Sequence, residues 1–251
     1  MLLTFLGTGT SMGVPHLGCT CSVCTSTDPR NRRMRTSAVL AVDDQTLLID
    51  TGPDFRTQAL ANGITHIDAV LLTHSHYDHV AGMDDLRPLT RYGDTMPIYG
   101  SPATLRDVRQ RFSYAFEDAS DGSTRPALEL LPVTRRFAIG PTWIVPFDVE
   151  HGTWTITGYR FGNLAYATDA SGLSVESRRT LQGLDVLVLD ALRFRPHPTH
   201  FSLAEALAVI EELRPRRTFL VHMNHDIDHA SVSAFLPPGV ALAYDGLCIE
   251  V

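Results

Sequence analysis

Three histidines and an aspartate crowd six positions of the stretch AVLLTHSHYDHVAG: His74, His76, Asp78 and His79. In extended backbone, side chains two residues apart project to the same side, so His74 and His76 can grip one ion. A turn into helix after Tyr77 would swing Asp78 and His79 round to face a second ion. Imidazole and carboxylate donors in this number suit zinc, manganese or iron. A polar loop with a chance run of histidines is the bland alternative. It is disfavoured because the whole chain holds only 11 histidines.

A second set of donors lies near the N-terminus. GCTCSVC places Cys19, Cys21 and Cys24, three of the chain's four cysteines, in one loop. This spacing gives three soft thiolates that a single loop can wrap round a tetrahedral ion, with a histidine as a normal fourth ligand. In a reducing compartment such a cluster reads as metal ligands rather than as a disulfide framework. Cys248 competes for the fourth place, but it lies between apolar neighbours in LCIEV and is read as a buried, unligated thiol.

Apolar runs bounded by turn residues must position these groups. LLTFL, SAVLAV, TLLID, AVLLTH, LELLPV, WIVPFDV, WTITGYRF, LAYATD, DVLVLD, TFLVHM and LCIEV have strand-like length and β-branched content. Apolar spacing near 3.6 predicts helices over Asp54–Ala61, Pro102–Phe116, Ser174–Leu181 and Ser202–Leu213. Ser202 and Glu205 form a capping-box pattern for the last of these. Interspersed strands and helices imply an α/β chain with two sheet layers sandwiched between helices. One domain is expected over residues 1–251, with a Cys-rich loop at 16–35.

Composition excludes several functions. The formal charge of −7 gives no global case for a nucleic-acid coat or a membrane-surface protein. MLLTFLGTGTSMG lacks a basic n-region and its apolar run stops after Leu6, so neither a signal peptide nor a membrane helix is expected and the location is read as cytoplasmic. The glycines of Gly7–Gly13 resemble a phosphate cradle, but no G-K-[ST] and no helix follow, which argues against a nucleotide loop. In RNRRMR, Arg30, Arg32, Arg33 and Arg35 are read as a solvated face or a salt-bridged connector in preference to a steering patch. EDASDGSTRP, Glu117–Pro126, is read as a surface loop in preference to a lid. His16, His66 and His229 are read as structural or surface residues, and His197 is evenly balanced.

HSHYDH fits the HxHxDH motif of the metallo-β-lactamase fold, and the chain resembles that family over essentially its whole length. The resemblance implies a four-layer αββα sandwich and supplies further ligands in order. TLLIDTGPD resembles the family's first motif, with Asp50 supporting the metal loops. His151 after WIVPFDV, Asp169 ending LAYATD and His222 ending TFLVH match the remaining ligands. By that mapping His74, His76 and His151 would hold one divalent ion, Asp78, His79 and His222 the other, with Asp169 bridging. Manganese or zinc is expected at both positions.

GTGTSMGVPHLGCTCSVC, HPTHFS and VHMNHD together resemble the PhnP-type phosphoribosyl 1,2-cyclic phosphate phosphodiesterases. That likeness implies a structural zinc on Cys19, Cys21, Cys24 and His225. It also implies that His200 and Asp78 are catalytic, Asp78 doubling as a ligand. His200 would protonate the departing oxygen or bond a non-bridging phosphate oxygen. The expected activity is hydrolysis of 5-phosphoribosyl 1,2-cyclic phosphate or a related cyclic nucleotide by a metal-bridging hydroxide. The expected partner is this small phosphodiester, with no membrane, no nucleic acid and room for a homodimer. A tRNase Z-like ribonuclease, a glyoxalase-II-like thioester hydrolase and a PqqB-like non-hydrolytic protein are the competitors. Against them stand the missing tRNA-gripping arm, the 29 residues after His222 and the complete HxHxDH set.

Overall fold

Alternation of apolar residues decides the layering. In the computed structural model, which describes residues 1–93, 95–117, 122 and 124–251 and only the backbone of 91–93, Leu47 and Ile49 face one buried layer while Leu48 faces another. Val186 and Val188 likewise face inward between the sheets, and Leu187 and Leu189 face outward to helices. Strands buried on both faces read as continuous apolar runs. The period of two still assigns each residue to its layer.

The first sheet contains β1 (Leu2–Gly7), β2 (Ser37–Val42), β3 (Gln45–Ile49), β4 (Ala69–Leu71), β5 (Met96–Gly100) and β6 (Leu128–Pro132). The second contains β7 (Phe137–Ile139), β8 (Thr142–His151), β9 (Trp154–Phe161), β10 (Leu164–Ala167), β11 (Val186–Asp190), β12 (Arg217–Val221) and β13 (Val240–Leu242). The last strand, β14 (Cys248–Glu250), returns to pair antiparallel with β1, so each sheet has seven strands. From β3 to β6, and again from β10 to β13, the strands run parallel. Parallel runs place several C-terminal strand ends on one edge, where a ligand site forms.

Helices cover both outer faces. Phe55 of α1 (Phe55–Ala61), Val80 of α2 (Tyr77–Val80) and Leu105 and Val108 of α3 (Pro102–Arg111) pack on the first sheet. On the second lie α4 (Val175–Thr180), α5 (Leu203–Leu213) and α6 (His229–Ser233). The capping box of Ser202 and Glu205 starts α5, whose buried face is Leu203, Ala206, Val209, Ile210 and Leu213. Each large apolar side chain on that face contributes roughly 1.5–3 kcal/mol through burial. The result is the αββα sandwich of the metallo-β-lactamase type.

Several local expectations are corrected. The helix expected over Pro102–Phe116 ends at Arg111, because Phe112 leaves helical geometry (φ −111°, ψ 37°), and a separate 3-10 turn spans Ser113–Phe116. The short strands β5, β7 and β13 lie outside the apolar runs read as strands. Cys248 is exposed, not buried. On the edge strand β14 its neighbour Ile249 faces the core, so the alternation turns the thiol outward, where the Thr4 hydroxyl donates to it at 3.3 Å. Half of the loop Glu117–Pro126, residues 118–121 and 123, lies outside the described residues. Among the described residues no helix is long and apolar enough to cross a membrane.

Candidate metal centre

The candidate ligands sit where strands end. Beyond β4 the chain passes through Thr73 and His74 to His76, which precedes α2 in extended geometry (φ −63°, ψ 153°). The first turn of α2 then carries Asp78 and His79, as the sequence implied. Asp169 follows β10, and His222 follows β12 directly. His151 closes β8 opposite Trp154 across a hairpin turn. Tyr159 of β9 donates to the Leu72 carbonyl at 2.7 Å, and the Thr157 amide to the Thr73 carbonyl at 2.9 Å, so the second sheet braces the strand that delivers His74.

Three of these corner residues hold left-handed backbone without being glycine: Asp50 (φ 60°), Asp169 (φ 57°) and His222 (φ 57°). Each such residue costs about 1–3 kcal/mol, and surrounding structure must over-determine it. Gly52 is needed for a different reason. A Cβ there would lie 2.1 Å from the Asp78 carbonyl oxygen, and no side chain fits that approach.

Hydrogen bonds set the imidazole orientations. Buried Asp50 accepts from the Thr73 amide and hydroxyl, each at 2.8 Å, and from His79 Nδ1 at 2.7 Å. Because the Thr73 proton goes to Asp50, its oxygen must accept from His74 Nδ1 at 3.0 Å. His151 Nδ1 donates to the Thr199 carbonyl at 2.8 Å. The Nε2 atoms of His74, His79 and His151 are thereby left as lone-pair donors, oriented from behind as metal-binding imidazoles commonly are.

Those atoms converge. His74, His76 and His151 form one group able to hold an ion, and Asp78, His79, Asp169 and His222 form another. His79 Nε2 lies 3.2 Å from Asp78 and 3.3 Å from Asp169, and His222 Nε2 lies 3.3 Å from Asp169. Asp169 also lies 4.0 Å from His74 Nε2, between the two groups. The Nε2 atoms of His79 and His222 are buried with no hydrogen-bond partner. Unpartnered buried polar atoms are rare and costly, and a cation at their focus satisfies nitrogen lone pairs and carboxylates together. The donor set therefore fits divalent ions.

Charge reinforces the point. Burial pushes the Asp169 carboxyl up, yet His222 and His79 beside it hold it well below the usual carboxylate range. Burial likewise opposes ionisation of Asp78, and the imidazoles of His79 and His222 overcome it. His200, 3.8 Å from Asp169 through Nδ1, is lowered to about 4 by burial and by its neighbour His222. It is a neutral imidazole at neutral pH, stacked 4.8 Å from the His222 ring.

Asp190 was missed in the sequence. It ends β11, is fully buried, and accepts from the Ala170 amide at 2.8 Å through Oδ1. Its Oδ2 and His200 Nδ1 face each other at 3.5 Å, and neither has another hydrogen-bond partner. The signal was available: Asp190 terminates DVLVLD as Asp169 terminates LAYATD.

The cysteine cluster assembles as expected. His225 Nδ1 lies 3.3, 3.5 and 3.4 Å from the sulfurs of Cys19, Cys21 and Cys24. A tetrahedral zinc with ordinary Zn–S and Zn–N bonds would give edges of about 3.5 Å. His16 stacks on His225 at 3.9 Å. Arg33 is buried and donates to the carbonyls of Asn224 and Ile227 at 3.0 and 2.6 Å, tying the cysteine loop to the segment after His222. Arg30 pairs with Asp28 and Arg35 with Asp54, so of the two readings of RNRRMR, solvated face or salt-bridged connector, these two arginines follow the second. The Gly7–Gly13 loop exchanges backbone bonds with Met223 through Thr8 and Thr10, so it braces His222 rather than forming a nucleotide loop. His66 is exposed beside Asp68, His229 is buried, and the His197 ring lies 5.1 Å from that of His200.

Residues 45–223 match the family model of the beta-lactamase superfamily domain, and the chain belongs to that superfamily. Within it, the protein resembles the PhnP family. It is 42% identical to the crystal structure described as a new diphosphatase from the PhnP family, covering 100% of this chain and 97% of that one with a TM-score of 0.93. An octanoyltransferase of Porphyromonas gingivalis is 37% identical over 98% of this chain, which spans about half (51%) of that relative's length. A coenzyme PQQ synthesis protein B of Methylorubrum populi is 29% identical over 76% of this chain and 72% of its own. The chain thus has the metallo-β-lactamase fold, a fold that implies divalent metals.

Proposed function

We propose that this protein is a phosphodiesterase using two divalent ions, manganese or zinc, to cleave a small cyclic phosphodiester. His74, His76 and His151 would hold one ion, Asp78, His79 and His222 the other, with Asp169 shared. The supporting observation is the pair of buried, unpartnered Nε2 atoms on His79 and His222 facing the Asp169 carboxylate. Cys19, Cys21, Cys24 and His225 would hold a separate structural zinc.

Divalent ions held by these residues would supply Lewis acidity and lower the pKa of a water. The chain's own residues do the rest. Asp50, Thr73 and Thr199 fix the imidazole rings from behind. Burial pushes the Asp190 carboxyl well up, so its Oδ2 would carry a proton toward His200 Nδ1 and leave the Nε2–H of His200 to donate to the departing or a non-bridging phosphate oxygen. The leading substrate is 5-phosphoribosyl 1,2-cyclic phosphate or a related cyclic nucleotide, supported by the likeness to the PhnP family. The description of that relative as a diphosphatase favours a second reading, cleavage of a P–O–P linkage by the same groups.

The test compares metal-reconstituted protein on 5-phosphoribosyl 1,2-cyclic phosphate, 2′,3′-cyclic nucleotides, bis(4-nitrophenyl) phosphate, a nucleoside diphosphate, a glutathione thioester and pre-tRNA. Turnover of a cyclic phosphodiester above the others is the expected result. Failure on every phosphodiester with both ions bound would sink the proposal, and turnover of the diphosphate alone would replace it with the second reading.

A further inference from the structure

Beside the first histidine group lies a cavity of about 250 Å³ whose lining includes Ser75, Thr104, Asp107, Trp154 and Thr155. Trp154 opens β9 directly across the hairpin from His151, and one face of its indole lies 4.7 Å from the His76 ring. Although large and apolar, Trp154 is 45% exposed. On the opposite wall, Asp107 of α3 accepts the Ser75 hydroxyl at 2.6 Å through Oδ2. Its Oδ1 has no partner among the described residues, and Thr155 is exposed beside the indole.

We propose that this cavity is a subsite for the uncharged polyol part of the substrate, a sugar ring stacked on Trp154 with hydroxyls donating to Asp107. The inference rests on the proposed phosphodiesterase reading and names the moiety attached to the scissile phosphate. An aromatic face packs the C–H side of a sugar while its edge leaves the hydroxyls free. A carboxylate oxygen is a strong acceptor for those hydroxyls, which are charge-assisted donors in such a pair. With the Asp107 carboxylate and the Arg111 guanidinium both at Ser75, this wall carries no net charge, which suits an uncharged sugar and leaves the phosphate to the histidines. A cationic headgroup would also suit an indole and a carboxylate. It is disfavoured because Arg111, one turn on from Asp107 in α3, donates to the Ser75 carbonyl and brings a guanidinium to the same wall.

The chain has two tryptophans, Trp143 and Trp154, so Trp143→Phe leaves Trp154 as the single indole reporter. With metal-reconstituted Trp143→Phe protein, ribose 5-phosphate should change the fluorescence saturably, whereas inorganic phosphate and phosphocholine should not. Asp107→Ala should weaken that response roughly tenfold. In the assay it should raise KM for the ribosyl cyclic phosphate by a similar factor, with kcat and the hydrolysis of bis(4-nitrophenyl) phosphate unchanged. Asp107→Asn, which keeps a carbonyl acceptor for Ser75 and presents an N–H donor to a sugar hydroxyl in place of Oδ1, should restore part of the loss. A response to phosphocholine in place of ribose 5-phosphate, an equal response to inorganic phosphate, or an unaltered response in Asp107→Ala would each overturn the subsite. Because the fluorescence readout needs no turnover, an inactive protein that still binds ribose 5-phosphate would count against the proposed activity and leave the subsite standing.

Discussion

The two clusters of candidate ligands use opposite architectures. At the cysteine corner, four donors from a loop and from the segment after His222 meet with nearly equal edges of 3.3, 3.5 and 3.4 Å from His225. Four ligands complete a tetrahedron and leave no position for a reactant. At the histidine–aspartate centre, the donors come from four strand ends in both sheets, and the carboxylate of Asp169 is approached by His74, His79, His200 and His222 together. That centre is shared rather than closed. A local loop suffices for a saturated site, whereas an open one needs rigid elements behind every ligand.

Predictions follow from this contrast. Asp169→Ala should have the largest effect, lowering turnover by at least about 100- to 1,000-fold while one tightly held zinc survives mild chelation. Metal analysis alongside kinetics checks both halves, and loss of all metal would erase the distinction between the clusters. His200→Ala should cost about 100-fold in turnover with every ion retained. If the ions leave instead, His200 is a ligand and the division drawn here is wrong.

Cys24→Ser should act in the opposite sense, leaving kcat nearly unchanged in folded protein while lowering the melting temperature by roughly 5–10 °C. Asp190→Asn should reduce turnover about tenfold without changing metal content, as expected for a group that orients another. The smallest effect concerns Asp245, whose carboxyl accepts from Thr8 and Met34 between the two clusters and is pushed up to about 7 by burial. An acid whose folded pKa is raised binds more protons folded than unfolded between about pH 4 and 7, so stability declines as pH rises through that window. Thermal melts should find the stability of the parent falling relative to Asp245→Asn as pH rises from about 4 to 7. A difference that moved the other way over the same range would contradict the sign.

Much of the centre was legible because its chemistry is written in order at strand ends. HSHYDH announced itself by density, and His151, Asp169 and His222 each followed an apolar run. Asp190 obeyed the same rule but lay in none of the stretches through which the resemblance supplied ligands. Cys248 misled because apolar neighbours signal burial only on an inner strand; which strand is the edge depends on pairing between chain termini. The strands MPIYG, FAI and VAL were too short, or too rich in proline and glycine, for periodicity to register. Trp154 looked like one more strand residue, since only the hairpin register places it opposite His151.

That hairpin has a consequence for how the molecule could diversify. His151 and Trp154 are cross-strand neighbours at the tip of β8 and β9, separated only by Gly152 and Thr153. Gly152 holds φ 60°, and a Cβ there would press to 2.8 Å on Thr199, whose carbonyl orients His151. Lengthening the tip would therefore re-aim a candidate metal ligand and the indole of the proposed sugar subsite in the same event. New substrates should be easier to reach by exchanging side chains at positions 154, 155 and 107 than by remodelling the turn, because the turn cannot drift without disturbing the chemistry.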